Sequence, residues 1–241
     1  MKLFKLELKK TGIQGYLWAS LWIFTAVLAM GIVFSLIPIL DTLDGTQTPA
    51  QELWMFSTWR GLSILISSIS VVCFSILAAV IAGRVIVAAY SGRAVSLLFS
   101  YPVSRQRILG AKVCLTAGFT VAAAFVCIVA ATLILAGLSR IFGLVPEAFD
   151  GGILGHVLKA AAVLAVLAAS VGVIAAAVGL WKKSVPAAIV TGVLLVCPLS
   201  NLFVTAAEHS ILAMTAVMAA GAAAAAAAYG RLAKRIRHME V

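Results

Sequence analysis

Residues 160–181 read AAAVLAVLAASVGVIAAAVGLW, a run without a single charged side chain. An α-helix rises about 1.5 Å per residue, so a run of this length can cross the ~30 Å hydrocarbon core of a bilayer. Similar runs recur along the chain, without the alternation of a membrane barrel strand. Because a backbone in lipid must pair its own polar groups, we expect helices. The sequence predicts six membrane-spanning helices, at about 17–37, 61–83, 113–136, 158–180, 186–206 and 211–229.

The composition of the whole chain leads to the same fold class. Hydrophobic residues make up 63% of the 241 residues and charged residues 11%, whereas globular proteins average about 45–50% and about 25%. Too few charged side chains remain to cover a soluble domain, which excludes a soluble enzyme, a disordered chain and a disulfide-stabilised secreted domain. We expect an all-α, polytopic membrane protein with a single transmembrane domain over 1–241.

The distribution of basic residues predicts the orientation in the membrane. If the N-terminus is cytoplasmic, all of the 18 Lys and Arg residues except Arg60, Arg140 and Lys159 fall on the cytoplasmic side. This is a strong positive-inside bias, so we expect both termini in the cytoplasm. The net charge of +10 then follows from topology and gives no reason to expect nucleic-acid binding. The outer segments hold six of the eight acidic residues: Asp41, Asp44, Glu52, Glu147, Asp150 and Glu208.

Motifs for catalysis or nucleotide binding are absent from the sequence. It contains no GxxxxGK[ST], HExxH or GxSxG pattern, and its four cysteines lack the spacing of a metal site. No Asp, Glu, Lys, Arg or His lies in the middle of a predicted span, although proton- and ion-coupled transporters need such groups. We therefore predict that the chain is not an enzyme, holds no metal or cofactor, and takes any energy for transport from another protein.

Polar residues within the spans are concentrated in the second one. Ser63, Ser67 and Ser70 lie at positions i, i+4 and i+7, on one face of a helix. They could line a path for a substrate, or they could donate hydrogen bonds within their own helix or to a neighbouring helix. The spacing alone leaves both interpretations open.

The connection between the second and third spans has an unusual pattern. Residues 90–112 read YSGRAVSLLFSYPVSRQRILGAK. We expect an amphipathic helix after Gly92 that stops at Tyr101, because Pro102 disfavours helical geometry in the residue before it. Ser104 can cap the following helix. From the residues alone, this segment could also be an interfacial loop that rests on anionic lipid.

This pattern resembles the membrane permeases of type-2 ATP-binding-cassette exporters. The matching features are Gly92, the pair Leu97-Leu98, the run Pro102–Arg105, and Lys112 seven residues after Arg105. The opening LFKLELKK is similar to the N-terminal interfacial helix of that family, with Phe4 and Glu7 within it. The resemblance implies a short cytoplasmic coupling helix that contacts an ATPase through Gly92, Arg93, Leu97, Leu98, Tyr101, Pro102, Ser104 and Arg105.

The resemblance also implies partners and an activity. Two copies of an ATP-binding-cassette ATPase would bind ATP and Mg²⁺, and a second permease chain would complete a homodimer or heterodimer in the bacterial cytoplasmic membrane. Alternating access driven by the ATPase would export amphipathic or antimicrobial peptides, or lipid-like compounds, and so give antimicrobial resistance. The alternative is a stand-alone channel or secondary carrier without an ATPase partner.

Overall fold

The computed structural model describes residues 13–44, 50–90, 105–209 and 211–238, and this part of the chain is helical with short connections. The third helix continues beyond Ala82 through a π-helical turn, Gly83–Val87, and one more helical turn, Ala88–Tyr90. The helices are α1 Ile13–Asp44, α2 Ala50–Ser57, α3 Trp59–Ala82 together with this continuation to Tyr90, α4 Arg105–Phe142, α5 Gly151–Trp181, α6 Val185–His209 and α7 Ile211–His238.

The prediction of an all-α protein with six spans is confirmed. Six of the seven helices, all but the short α2, are long and apolar enough to cross a membrane. Each predicted span lies inside the corresponding helix, and the helices continue beyond the predicted limits except at the start of α7, which begins at the predicted residue 211. The predicted N-terminal interfacial helix with Phe4 and Glu7 lies outside the described residues, as does the predicted coupling helix after Gly92.

Helices α3 and α5 form the centre of the bundle. More than half of the apolar window is buried in each of them, against less than a quarter in α1, α6 and α7. Small residues let the central helices approach closely: a Cβ atom at Gly172 of α5 would lie 2.8 Å from the Ala78 Cβ of α3. Gly192 of α6 similarly contacts Ala79 of α3. The glycine and alanine content of the spans therefore serves to bring backbones together, as in other membrane bundles.

One end of the bundle is strongly basic. The end of α3, the start of α4, the end of α5, the start of α6 and the end of α7 meet there. We call it the basic end, and the opposite end the far end. The basic side chains at or near these helix ends are Arg84, Lys112, Lys182, Lys183, Arg231 and Lys234.

The far end is closed by contacts between the start of α3 and the α4–α5 connection. The backbone N–H of Trp59 donates to Glu147 Oε2 at 2.9 Å, and its indole N–H donates to the Glu147 carbonyl at 2.7 Å. The Trp59 ring also meets Phe149 edge to face at 5.2 Å. Because Trp59 is 1% exposed, these contacts hold the start of α3 firmly to the connection.

Candidate functional site

The basic end carries a compact apolar cluster built from four helices. Ala82 and Ile86 come from the end of α3, Leu109 from α4, Ala176 from α5 and Leu232 from α7, and all five are buried. We call these five residues the basal cluster. It joins the two helices that flank residues 91–104 to the rest of the bundle.

A π-helical turn ends the packed part of α3. Within it, Val85, Ile86 and Val87 are buried, and the amide of Ala88 donates to the Gly83 carbonyl five residues earlier. The Lys112 ammonium of α4 donates to the Val85 carbonyl at 3.1 Å. A π turn widens the helix and often marks a functional position. Here it presents a carbonyl to a charged donor on the next helix, which ties α3 to α4.

Close packing against α5 and α6 surrounds the π turn. A Cβ atom at Gly83 would lie 3.1 Å from Val185 Cγ1 of α6. A Cβ atom at Gly179 of α5 would lie 2.9 Å from Val87 Cγ2 and 2.6 Å from the Ala188 Cβ. No side chain other than hydrogen fits at Gly179 without moving its neighbours. The π turn is therefore held by three neighbouring helices, α4, α5 and α6.

The α5–α6 connection adds a tight turn beside this contact. Lys183 has a φ of +50°, in the left-handed region. Its N–H donates to the Leu180 carbonyl at 3.3 Å, and the N–H of Ser184 donates to the Gly179 carbonyl at 3.0 Å. These bonds satisfy carbonyls at the end of α5 in the usual manner of a helix C-terminus. This connection places the start of α6 directly against the π turn.

The helices on either side of the predicted coupling residues are held together by this arrangement. Arg105 is the first residue of α4, whereas Gly92, Arg93, Leu97, Leu98, Tyr101, Pro102 and Ser104 lie outside the described residues. The described residues before the segment end at Tyr90, whose ring packs on the basal cluster, and those after it begin at Arg105. The bond between Lys112 and the Val85 carbonyl joins the two helices at the base of the segment. Motion of the segment would thus act directly on α3 and α4.

Comparison with known proteins identifies the family. Residues 3–198 match the family described as ABC-2 family transporter protein. The chain belongs to this ABC-2 family. Membership confirms the resemblance to type-2 ATP-binding-cassette permeases, and it implies a transport permease, not itself catalytic, that is embedded in a membrane and works with an ATP-binding-cassette ATPase.

Beyond the family match, a bacterial protein is similar to this chain over most of its length. The uncharacterized protein YcbO of Bacillus subtilis (strain 168) is 25% identical over 205 residues, which cover 83% of this chain and 84% of YcbO. No solved structure matches the chain significantly. The family match therefore carries the assignment to the ABC-2 transporters.

The serines of the second span lie inside this ABC-2 permease. Ser63, Ser67 and Ser70 are all buried in α3. The Ser63 hydroxyl donates to the Arg60 carbonyl at 2.8 Å, and the Ser70 hydroxyl donates to the Ile66 carbonyl at 2.7 Å. In this conformation they face protein, so they can line a substrate path only after α3 has separated from a neighbouring helix.

The π turn has no signal in the local sequence. Lys112 stands out in the sequence by its spacing from Arg105, but its partner at Val85 is 27 residues away. The Trp59–Glu147 contact joins residues 88 apart. For the contact of Lys112, the sequence signal is a basic residue directly before the predicted third span, near the end of the second span in the predicted topology. The local sequence contains no signal for the contact between Trp59 and Glu147.

Proposed function

We propose that this ABC-2 chain is the membrane permease of an exporter that moves amphipathic or antimicrobial peptides, or lipid-like compounds, out of the cell. Two permease chains and two ATPase subunits form the unit, with both termini of each chain in the cytoplasm. ATP and Mg²⁺ bind to the ATPase subunits. Their closure moves the segment 91–104 and shifts the bundle between inward-open and outward-open states.

The contact between the two helices that flank that segment is the observation that carries the proposal. The segment joins α3 to α4 at a point where Lys112 binds the Val85 carbonyl at 3.1 Å. The adjoining π turn packs against α5 and α6. Force on one short cytoplasmic segment would therefore reach four helices, which is what a permease moved by an external ATPase requires.

Short connections at the far end support the substrate class. Residues 143–150 join α4 to α5, and residue 210 alone lies between α6 and α7. Connections of this length cannot fold into a separate receptor domain, so substrate recognition is expected among the apolar helices. An amphipathic or lipid-like molecule suits such surroundings better than a bare ion, because an ion needs polar or charged ligands.

Purification followed by reconstitution tests the activity. We expect an ATPase subunit to copurify with the tagged chain in mild detergent, and amphipathic peptides to stimulate ATP hydrolysis by the reconstituted complex. Transport by the purified chain without any ATPase would contradict the proposal and indicate a channel or secondary carrier. If lipids but no peptide stimulated ATP hydrolysis, the chain would still be an exporter permease, but peptides would be excluded as its substrate.

Variants in the segment test the coupling. Arg93→Glu and Tyr101→Ala should abolish peptide-stimulated ATP hydrolysis while the chain still inserts into the membrane. Arg140→Glu is a matched charge reversal at the far end and should leave the stimulation intact. Normal stimulation in both segment variants would remove the coupling role from this segment.

The orientation can be tested separately. In a cysteine-free background, Ser96→Cys should be protected from an impermeant maleimide in intact cells, whereas Gly152→Cys at the exposed start of α5 should react. The reverse pattern would place the segment outside the cell and exclude contact with a cytoplasmic ATPase.

A further inference from the structure

Helices α5 and α7 contact each other at Gly221, near the middle of both helices, and a cavity lies on each side of this contact. A Cβ atom at Gly221 of α7 would lie 3.4 Å from Leu167 Cδ1 of α5 and 3.9 Å from the Ser170 Cβ. A cavity of about 340 Å³ lies on the side of the far end, beside His156, Lys159 and Met218. A larger cavity, of about 670 Å³, lies on the side of the basic end.

The larger cavity is apolar except at one position. It is lined by Ile174, Ala177, Val178 and Trp181 of α5 and by Ala224, Ala227, Ala228, Arg231 and Leu232 of α7. The alanine side chains of α7 are too short to fill this space beside α5. We call this cavity the α5–α7 groove, and its volume lies within the ~300–1,000 Å³ of ordinary ligand sites.

The dimensions of the groove match one leaflet of a bilayer. Its lining runs from Ile174 to Trp181 on α5 and from Ala224 to Leu232 on α7, which is about 10–12 Å at 1.5 Å per residue. Half of a ~30 Å hydrocarbon core is ~15 Å. The groove therefore extends over most of the acyl-chain depth next to the basic end.

The end of the groove has the chemistry of a headgroup site. Trp181 is 67% exposed, and tryptophan concentrates at the level of the headgroups. Arg231 is also exposed, and its guanidinium can bind a phosphate through two parallel hydrogen bonds. Lys182 and Lys183 directly follow Trp181 in the sequence. An apolar groove with a cationic end fits a molecule with an acyl chain and an anionic head.

Charge argues against a second copy of the chain as the occupant. A two-fold contact through this face would place the same patch of both copies together. Both copies of Arg231 would then lie at the same end of the contact, and like charges brought close together repel. An anionic lipid instead supplies the missing negative charge.

We propose that the α5–α7 groove binds an anionic phospholipid of the leaflet next to the basic end. One acyl chain lies along Ala224, Ala227 and Ala228, and the phosphate binds Arg231. The bound lipid fills the open space between the two helices beside their contact at Gly221, and so adds to the contacts that hold the outer helix α7 to the central helix α5.

Lipid binding to the purified full-length chain tests this proposal. In a neutral detergent, native mass spectrometry with added phosphatidylglycerol or phosphatidylcholine reports the bound lipids, and a thermal shift reports their effect. We expect phosphatidylglycerol to bind more tightly than phosphatidylcholine and to raise the melting temperature. Arg231→Gln should weaken phosphatidylglycerol binding about tenfold, the usual loss when one charged hydrogen-bond partner is removed.

Two further variants separate the groove from general surface charge. Ala227→Leu should fill part of the groove and weaken the binding of both lipids. Ala227 is exposed on α7 and lines the groove, so the larger side chain can enter the groove without displacing a packed neighbour. Lys234→Gln removes a charge from the same helix end, outside the groove lining, and should leave binding unchanged. Three results would overturn the proposal. Lys234→Gln could weaken phosphatidylglycerol binding as much as Arg231→Gln does, or the two lipids could bind equally well. Alternatively, Ala227→Leu could convert a dimer into a monomer.

Discussion

Replacing Lys112 with methionine would test the contact that joins α3 to α4. Methionine keeps an unbranched apolar side chain but removes the ammonium group that donates to the Val85 carbonyl at 3.1 Å. A hydrogen bond from a charged donor contributes about 1.5–3 kcal/mol. The lower value applies here because Lys112 is only half-buried. Since 1.4 kcal/mol is a factor of ten in an equilibrium constant, local opening of the π turn should become about tenfold more frequent.

Hydrogen exchange followed by mass spectrometry measures that opening. In Lys112→Met, amides of residues 83–90 should exchange about tenfold faster, by the same conversion, whereas those of the central part of α3 should keep their protection. Lys234→Met removes a lysine from the same end of the bundle and serves as the control. Unchanged exchange over 83–90 in Lys112→Met, or the same increase in the control, would refute the role given to this contact.

Three further substitutions follow from single contacts and can be read from thermal unfolding in detergent. Ser75→Ala should raise stability by about 1 kcal/mol, because the Ser75 hydroxyl is buried without a hydrogen-bond partner, whereas Ser70→Ala removes a 2.7 Å bond and should give no gain. Lys183→Gly should raise it by about 0.5–1 kcal/mol by relieving a left-handed φ of +50°; a loss would contradict this. Glu147→Ala should lower it by about 2 kcal/mol by leaving the Trp59 amide unpaired, and Glu147→Gln by less; equal losses would show that the acceptor oxygen is not what matters.

The six spans could be predicted because a bilayer imposes one requirement on the whole length of a helix. A span predicted at 158–180 lies inside Gly151–Trp181, and one predicted at 113–136 lies inside Arg105–Phe142. The helix ends could not be predicted in this way. They depend on caps such as Asp150, whose side chain accepts from the Gly151 amide at 2.7 Å, and not on hydropathy.

Contacts between distant residues account for what the sequence could not reveal at the candidate site. The π turn in GRVIV forms where Val185 packs against Gly83 and Lys112 reaches Val85, and these partners come from other helices. The face shared by Ser63, Ser67 and Ser70 was visible in the spacing, but its burial depends on the helices around α3. The family of the chain, in contrast, was recognisable from a short pattern of residues between the second and third spans.

Because the start of α3 is fixed at the far end, this helix can tilt about that point. Trp59 is held by Glu147 and Phe149, while Tyr90 lies at the other end, next to the segment that we expect to be moved. At about 1.5 Å per residue, the distance from Trp59 to Tyr90 is about 46 Å, so a tilt of about 5° around Trp59 displaces Tyr90 by ~4 Å. Conversely, a displacement of a few ångströms at the basic end becomes only a small rotation at Trp59, where the contacts with Glu147 and Phe149 can stay intact.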